Sequence, residues 1–115
     1  MPGAERLRDS VPLQELILSQ HHCKHGLAAI CAAPAVVLQN IGALQGIPAT
    51  CHPGFMIHLD PDTRFEARVV KSGHIITSRG PGTALEFALE LVSYLFGSDA
   101  AQNVADPMII PQSKL

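Results

Sequence analysis

Basic charge is scarce in this sequence. Lys and Arg together number 8 against 10 Asp and Glu, for a formal net charge of −2. No basic excess is available to neutralise a phosphate backbone or an anionic bilayer, so nucleic acid and membrane surfaces are not expected partners. Long apolar runs are also missing: none reaches the roughly 18–20 residues of a membrane span. The first residues lack a basic-then-apolar signal pattern. Cysteine occurs three times, an odd number without framework spacing. A disulfide scaffold is therefore excluded, and reduced thiols in a cytoplasmic setting are expected. Internal repeats, linkers and low-complexity segments are absent. With 47% hydrophobic and 16% charged residues over 115 positions, the composition fits one globular domain, residues 1–115.

The most informative stretch is Gly26-Leu27-Ala28-Ala29-Ile30-Cys31-Ala32-Ala33-Pro34-Ala35-Val36-Val37-Leu38. It reads as a strand covered on both faces, a sharp turn carrying one cysteine, then a helix over 32–43. Ala29 and Ala33 flank Cys31 at minus two and plus two. A nucleophile elbow needs small residues there, because strand and helix approach closely around a strained turn. Pro34 falls in the first helical turn, where a missing N–H costs nothing. A thiol at a helix N-terminus meets the positive end of the dipole, which favours the thiolate. The alternative is a buried cysteine in an alanine-rich junction.

Elsewhere the periodicity predicts helix over residues 4 to about 20. Pro12 is a break or a first-turn residue of a second helix, and Asp9-Ser10 is a plausible cap. Ala49-Thr50-Cys51 reads as another short strand, and Phe55 to Leu59 as one helical turn. Ala67–Val70 and His74–Thr77 flank Lys71-Ser72-Gly73 as a hairpin. Gly80-Pro81-Gly82 interrupts the chain before a helix from Thr83 to about Phe96, and 99–105 forms a last short helix. The tail runs from Pro107 to Leu115. Strands alternating with helices predict a mostly parallel sheet with helices on both faces. Ligands of such sheets sit at strand carboxyl ends, where Cys31, His52 and the Arg79–Thr83 loop all fall.

Four segments in order carry a resemblance. They are the helix start Pro2–Ser10, the elbow, Thr50-Cys51-His52-Pro53, and Thr77–Thr83 followed by Glu86-Phe87-Ala88. Together they resemble the ThiJ/PfpI superfamily, in particular its Parkinsonism-associated deglycase branch. The resemblance implies a flavodoxin-like three-layer α/β sandwich, of which this chain corresponds to the C-terminal portion. It implies a cofactor-free deglycase or glutathione-independent glyoxalase acting on methylglyoxal, glyoxal or early glycation adducts, with protection against oxidative stress. Cys31 then attacks a carbonyl to give a hemithioacetal, or is oxidised to a sulfinate. His52 is the general acid/base, and Ala32, Arg79, Gly80 and Pro81 face the substrate. Family members carry a further N-terminal half, with a glutamate bonded to the nucleophile and a Gly-Gly turn at the oxyanion site. The expected partners are therefore small reactive carbonyls and either a second copy of this chain or that N-terminal half.

Other features take structural readings. Cys51 reads as a buried strand-end thiol, and Ser78 and Thr83 as caps. Asp60 and Asp62 read as turn residues. Arg79–Thr83 suits a tight strand-to-helix turn and also an anion-binding loop. His21-His22-Cys23-Lys24-His25 looks like a metal cluster but reads as a surface helix end, with a weak, adventitious metal site as the alternative and no resident metal expected. Two other functions use the same residues: a redox-sensing or chaperone-like stress protein without turnover, and a non-catalytic fragment that pairs with another chain.

Overall fold

The computed structural model describes residues 2–110. The polar end of the predicted tail, 111–115, lies outside them. Helices α1 (Pro2–Asp9) and α2 (Val11–His22) open the chain. Ser10 separates them with an extended backbone, and its Oγ accepts from Leu13 N at 3.4 Å. Pro12 sits in the first turn of α2, where no N–H is required. Ser10→Ala is expected to cost about 0.5–1 kcal/mol, read as a lower urea midpoint at unchanged slope. An unchanged midpoint would show that so long a cap bond contributes nothing.

The sheet has three strands in the order β1-β3-β2, with β1 Leu27–Ile30, β2 Val69–Ser72 and β3 Ile75–Ser78. β1 and β3 are parallel, Leu27 opposite Ile75 and Ile30 opposite Ser78. β2 and β3 form the predicted hairpin, with Gly73 supplying the positive φ its turn requires (58°). The mostly parallel sheet is thus a mixed one, because the hairpin adds an antiparallel pair. Central β3 is buried along its whole length. Ile75 joins Ile17, Val37, Leu38 and Leu44 in the core on one face. Strand alternation turns Ser78 to the opposite face, where it meets the start of α3 (Ala84–Phe96). Arg68, just before β2, ties to α3 by a two-pronged ion pair with Glu86 at 2.7 Å. Helix α4 (Ser98–Ala105) follows, as the sequence predicts for 99–105.

Three expectations need correction. β1 is not covered on both faces: Ala28 is exposed, and the strand forms an edge of the sheet. A groove of about 680 Å³ runs beside it, walled by Leu13 and Leu16 of α2, Ile30, Leu38 and Phe87 of α3. The predicted helix over 32–43 is regular only in a six-residue π-helical segment, Pro34–Gln39, followed by turns to Gly46. So short a segment has little macrodipole, and the dipole argument for Cys31 loses most of its weight. Ala49-Thr50-Cys51 builds no strand. Ala49 makes one isolated bridge to Arg64, while Thr50 N donates to the Thr77 side chain at 3.0 Å instead of a backbone carbonyl.

Candidate functional site

Cys31 immediately follows β1 and has φ of 66°, a left-handed conformation costly for a residue with a Cβ. Two hydrogen bonds pin it there. Cys31 N donates to Ser78 O at 3.1 Å, and Cys31 O accepts from His52 N at 2.7 Å. The elbow is thus held between the end of β3 and the 50–52 segment. Ala32, next in line, is buried, and its carbonyl accepts from Ala35 N and Val36 N to start the turn that follows.

His52 is exposed and caps the 3-10 helix Pro53–His58, its Nδ1 accepting from Gly54 N at 3.1 Å. That bond puts the ring proton on Nε2, the atom left to exchange protons with a bound molecule. Capping and proton exchange thus use different ring nitrogens of His52. Gly80 lies against the imidazole: a Cβ built there would sit 3.8 Å from His52 Cδ2.

The Arg79–Thr83 loop is organised by one hydroxyl. Thr83 Oγ1 accepts from Arg79 N at 3.2 Å and from Gly80 N at 3.1 Å, and lies 2.6 Å from Ser78 Oγ. Ser78 Oγ donates in turn to Arg68 O at 2.6 Å. Thr83 caps the turn that precedes α3 by accepting from Gly80 N, as read from the sequence, whereas Ser78 is no cap: it ends β3 and its hydroxyl joins Arg68 to Thr83. The bonds to Thr83 Oγ1 engage the Arg79 and Gly80 N–H groups, which serves the tight-turn reading of the loop. The Arg79 guanidinium reaches back, its Nε donating to Cys51 O at 2.9 Å. Cys31, His52, Arg79 and Gly80 therefore come together at the carboxyl ends of the parallel strands. Pro81 stands exposed at the start of the 3-10 turn Pro81–Thr83.

Three cysteines occupy three environments. Cys23 is exposed, Cys31 half-buried and Cys51 buried. Burial pushes the Cys51 thiol up to about 11, against an opposing pull from the Arg79 cation, and the nearby Cys31 pushes it the same way. Cys51 Sγ also donates to His52 O at 3.3 Å. Cys51 is thus a packed, protonated neighbour that helps hold the His52 backbone. Among the described residues no three His, Cys, Asp or Glu side chains are placed to hold a metal ion. Sequence reasoning missed the Arg79–Cys51 and Thr77–Thr50 bonds. Both join side chain to backbone across more than twenty-five positions, and no local pattern encodes them.

The profile of the DJ-1/PfpI family matches residues 1–94. The Parkinson disease protein 7 homolog of Danio rerio is 42% identical over 111 residues, covering 94% of this chain and 58% of its own length. A glutathione-independent glyoxalase of Caenorhabditis elegans is 34% identical over 95% of this chain and 59% of its own. The solved structure of oxidized Toxoplasma gondii DJ-1 superposes with a TM-score of 0.92 at 45% identity, covering 95% of this chain and 59% of that one. The chain therefore spans a little under three fifths of the length of these relatives. Among the described residues no helix is long and apolar enough to cross a membrane. The ordered match along residues 1–94, together with the shared fold around the Cys31 turn, means that the chain belongs to the DJ-1/PfpI family.

Proposed function

We propose that Cys31 is the reactive thiol of a cofactor-free cysteine site for small reactive carbonyls, of the deglycase or glutathione-independent glyoxalase type. The observation that carries this reading is the strained Cys31 backbone, pinned by Ser78 O and His52 N at the carboxyl ends of β1 and β3. A relative whose name is that of a glutathione-independent glyoxalase supports the substrate class. Cys31 Sγ adds to an aldehyde carbon, and the carbonyl oxygen takes a proton to give a hemithioacetal. His52 Nε2 is the nearby group able to supply and recover that proton. Ala32, Arg79, Gly80 and Pro81 form the surroundings of the bound carbonyl. The setting is cytoplasmic, where the thiol stays reduced.

The uncovered β1 edge bears on partners. An edge strand beside an apolar groove is a template for another strand, and the chain spans less than three fifths of its relatives. We infer that the groove accepts the N-terminal half that the family resemblance implies, with self-association when that half is absent.

Mild peroxide followed by mass spectrometry tests the thiol assignment. Cys31 is expected to gain two oxygens first. Cys51 should stay unmodified, because its thiol is protonated up to about pH 11 and it is buried. Oxidation of Cys23 ahead of Cys31 would overturn the assignment. Sulfinate formation without any methylglyoxal consumption would favour a redox sensor over an enzyme.

A further inference from the structure

At the opposite end of the central strand, two histidines far apart in sequence face each other. His21 Nδ1 lies 2.9 Å from His74 Nε2, with the rings 5.1 Å apart and inclined by 28°. His21 belongs to the last turn of α2, and His74 immediately precedes β3. Both are half-buried, and the backbone fixes both. The His74 carbonyl accepts from Leu27 N at 2.8 Å, and the end of α2 is tied down by Gln20 Nε2 donating to Gly26 O at 2.9 Å.

We propose that His21 and His74 form a two-imidazole chelate for a divalent transition metal ion with square-planar or octahedral preference, the Ni2+ and Cu2+ class. Ligand chemistry points to that class: imidazole nitrogen suits these ions, and two nitrogens completed by water oxygens make the mixed N,O set they favour. The two ring nitrogens, 2.9 Å apart across a shared hydrogen bond, are close enough to serve one ion. A metal ion takes the place of the proton that the two nitrogens share, and each ring turns so that its lone pair meets the ion. The His21-His22-Cys23-Lys24-His25 turn, read from the sequence as a surface helix end, so acquires a partner 53 positions away. Water fills the remaining positions, as expected where no third protein ligand is placed.

The Lys24 cation acts on the pair: with burial and His21 it holds the His74 imidazole below its usual range, and it repels an incoming cation. The pair is remote from the thiol: β3 separates His74 from Ser78 by four residues, on the order of 13 Å.

Titration of the untagged chain with NiCl2 tests the proposal, by calorimetry and by NMR of the histidine rings. One Ni2+ is expected per chain, with paramagnetic broadening of the His21 and His74 rings ahead of His52 and His58. His21→Gln and His74→Gln should each weaken binding by about a hundredfold or more, since each removes one arm of a chelate. Cys31→Ser should leave it unchanged and Lys24→Gln should tighten it. Circular dichroism establishes that each variant is folded, and the broadening pattern needs no variant at all. First broadening at His22, His25 or His52, or full affinity in folded His74→Gln, would overturn the proposal.

Discussion

Replacing Cys31 by Ser, Ala or Gly is expected to remove the first-forming sulfinate and the fast aldehyde addition, yet the Gly variant should differ from the other two in stability. Loss of reactivity follows from loss of the thiol, since a hydroxyl at this position forms no comparable nucleophile. The stability difference follows from the backbone. At a φ of 66° any side chain with a Cβ crowds the following carbonyl, at a cost of about 1–2 kcal/mol. Glycine escapes that cost but loses more chain entropy on folding, which offsets part of the gain. Cys31→Gly should therefore exceed Cys31→Ala by about 1 kcal/mol in urea unfolding, and Cys31→Ser should resemble Ala. The Ala/Gly comparison isolates backbone strain because both variants lack the thiol. Equal stability of Ala and Gly would mean that the turn is relaxed. A stability gain that comes only with loss of the thiol is what a functional strain predicts.

The elbow was legible in the sequence because its determinants are local. Ala29, Cys31, Ala33 and Pro34 sit within six positions, and each speaks to backbone crowding or to a missing N–H. The hairpin was legible for the same reason, since Gly73 marks the positive φ its turn needs. The Ser10 cap and Pro12 placed the α1–α2 boundary. What the pattern misjudged depends on distant partners. The run 26–30 is apolar enough for a doubly covered strand, but coverage of β1 is a property of what packs beside it, and its outer edge borders an open groove. The 49–51 segment spends its Thr50 N–H on a side-chain hydroxyl, so β-type sequence does not become a ladder. Composition places His21 in a polar helix end, and only the hairpin carries His74 to it. Of the site, the convergence of Cys31, His52 and the 79–83 loop follows from strand ends. The use of the loop's N–H groups by Thr83 does not.

Supplying the N-terminal portion of a DJ-1/PfpI relative, fused or added separately, is expected to raise methylglyoxal consumption by this chain about 100- to 1000-fold. The described residues provide a thiol, an imidazole and a guanidinium at one edge, but the Arg79 and Gly80 N–H groups are committed to Thr83. A developing oxyanion is then left with few fixed donors, and one such donor is typically worth a factor of roughly 100–1000 in rate. A carboxylic acid beside the thiol, which the family resemblance assigns to that N-terminal portion, would contribute further but not independently. His52 alone should support slow addition to the aldehyde. The β1 edge gives the physical route for the gain: a strand entering the groove beside Leu27–Ile30 extends the sheet and covers Leu16, Ile30 and Phe87. Sedimentation should show the 115-residue chain associating at micromolar concentration. With the added portion it should resolve into one defined species, as the apolar groove is filled. Lactate formation, absent in the Cys31→Ser version of the same complex, ties the gain to the thiol. If the 115-residue chain already turns over methylglyoxal as fast as the completed one, and sediments as a compact monomer, the groove is not an incomplete half of the site and the proposed dependence on a partner is wrong.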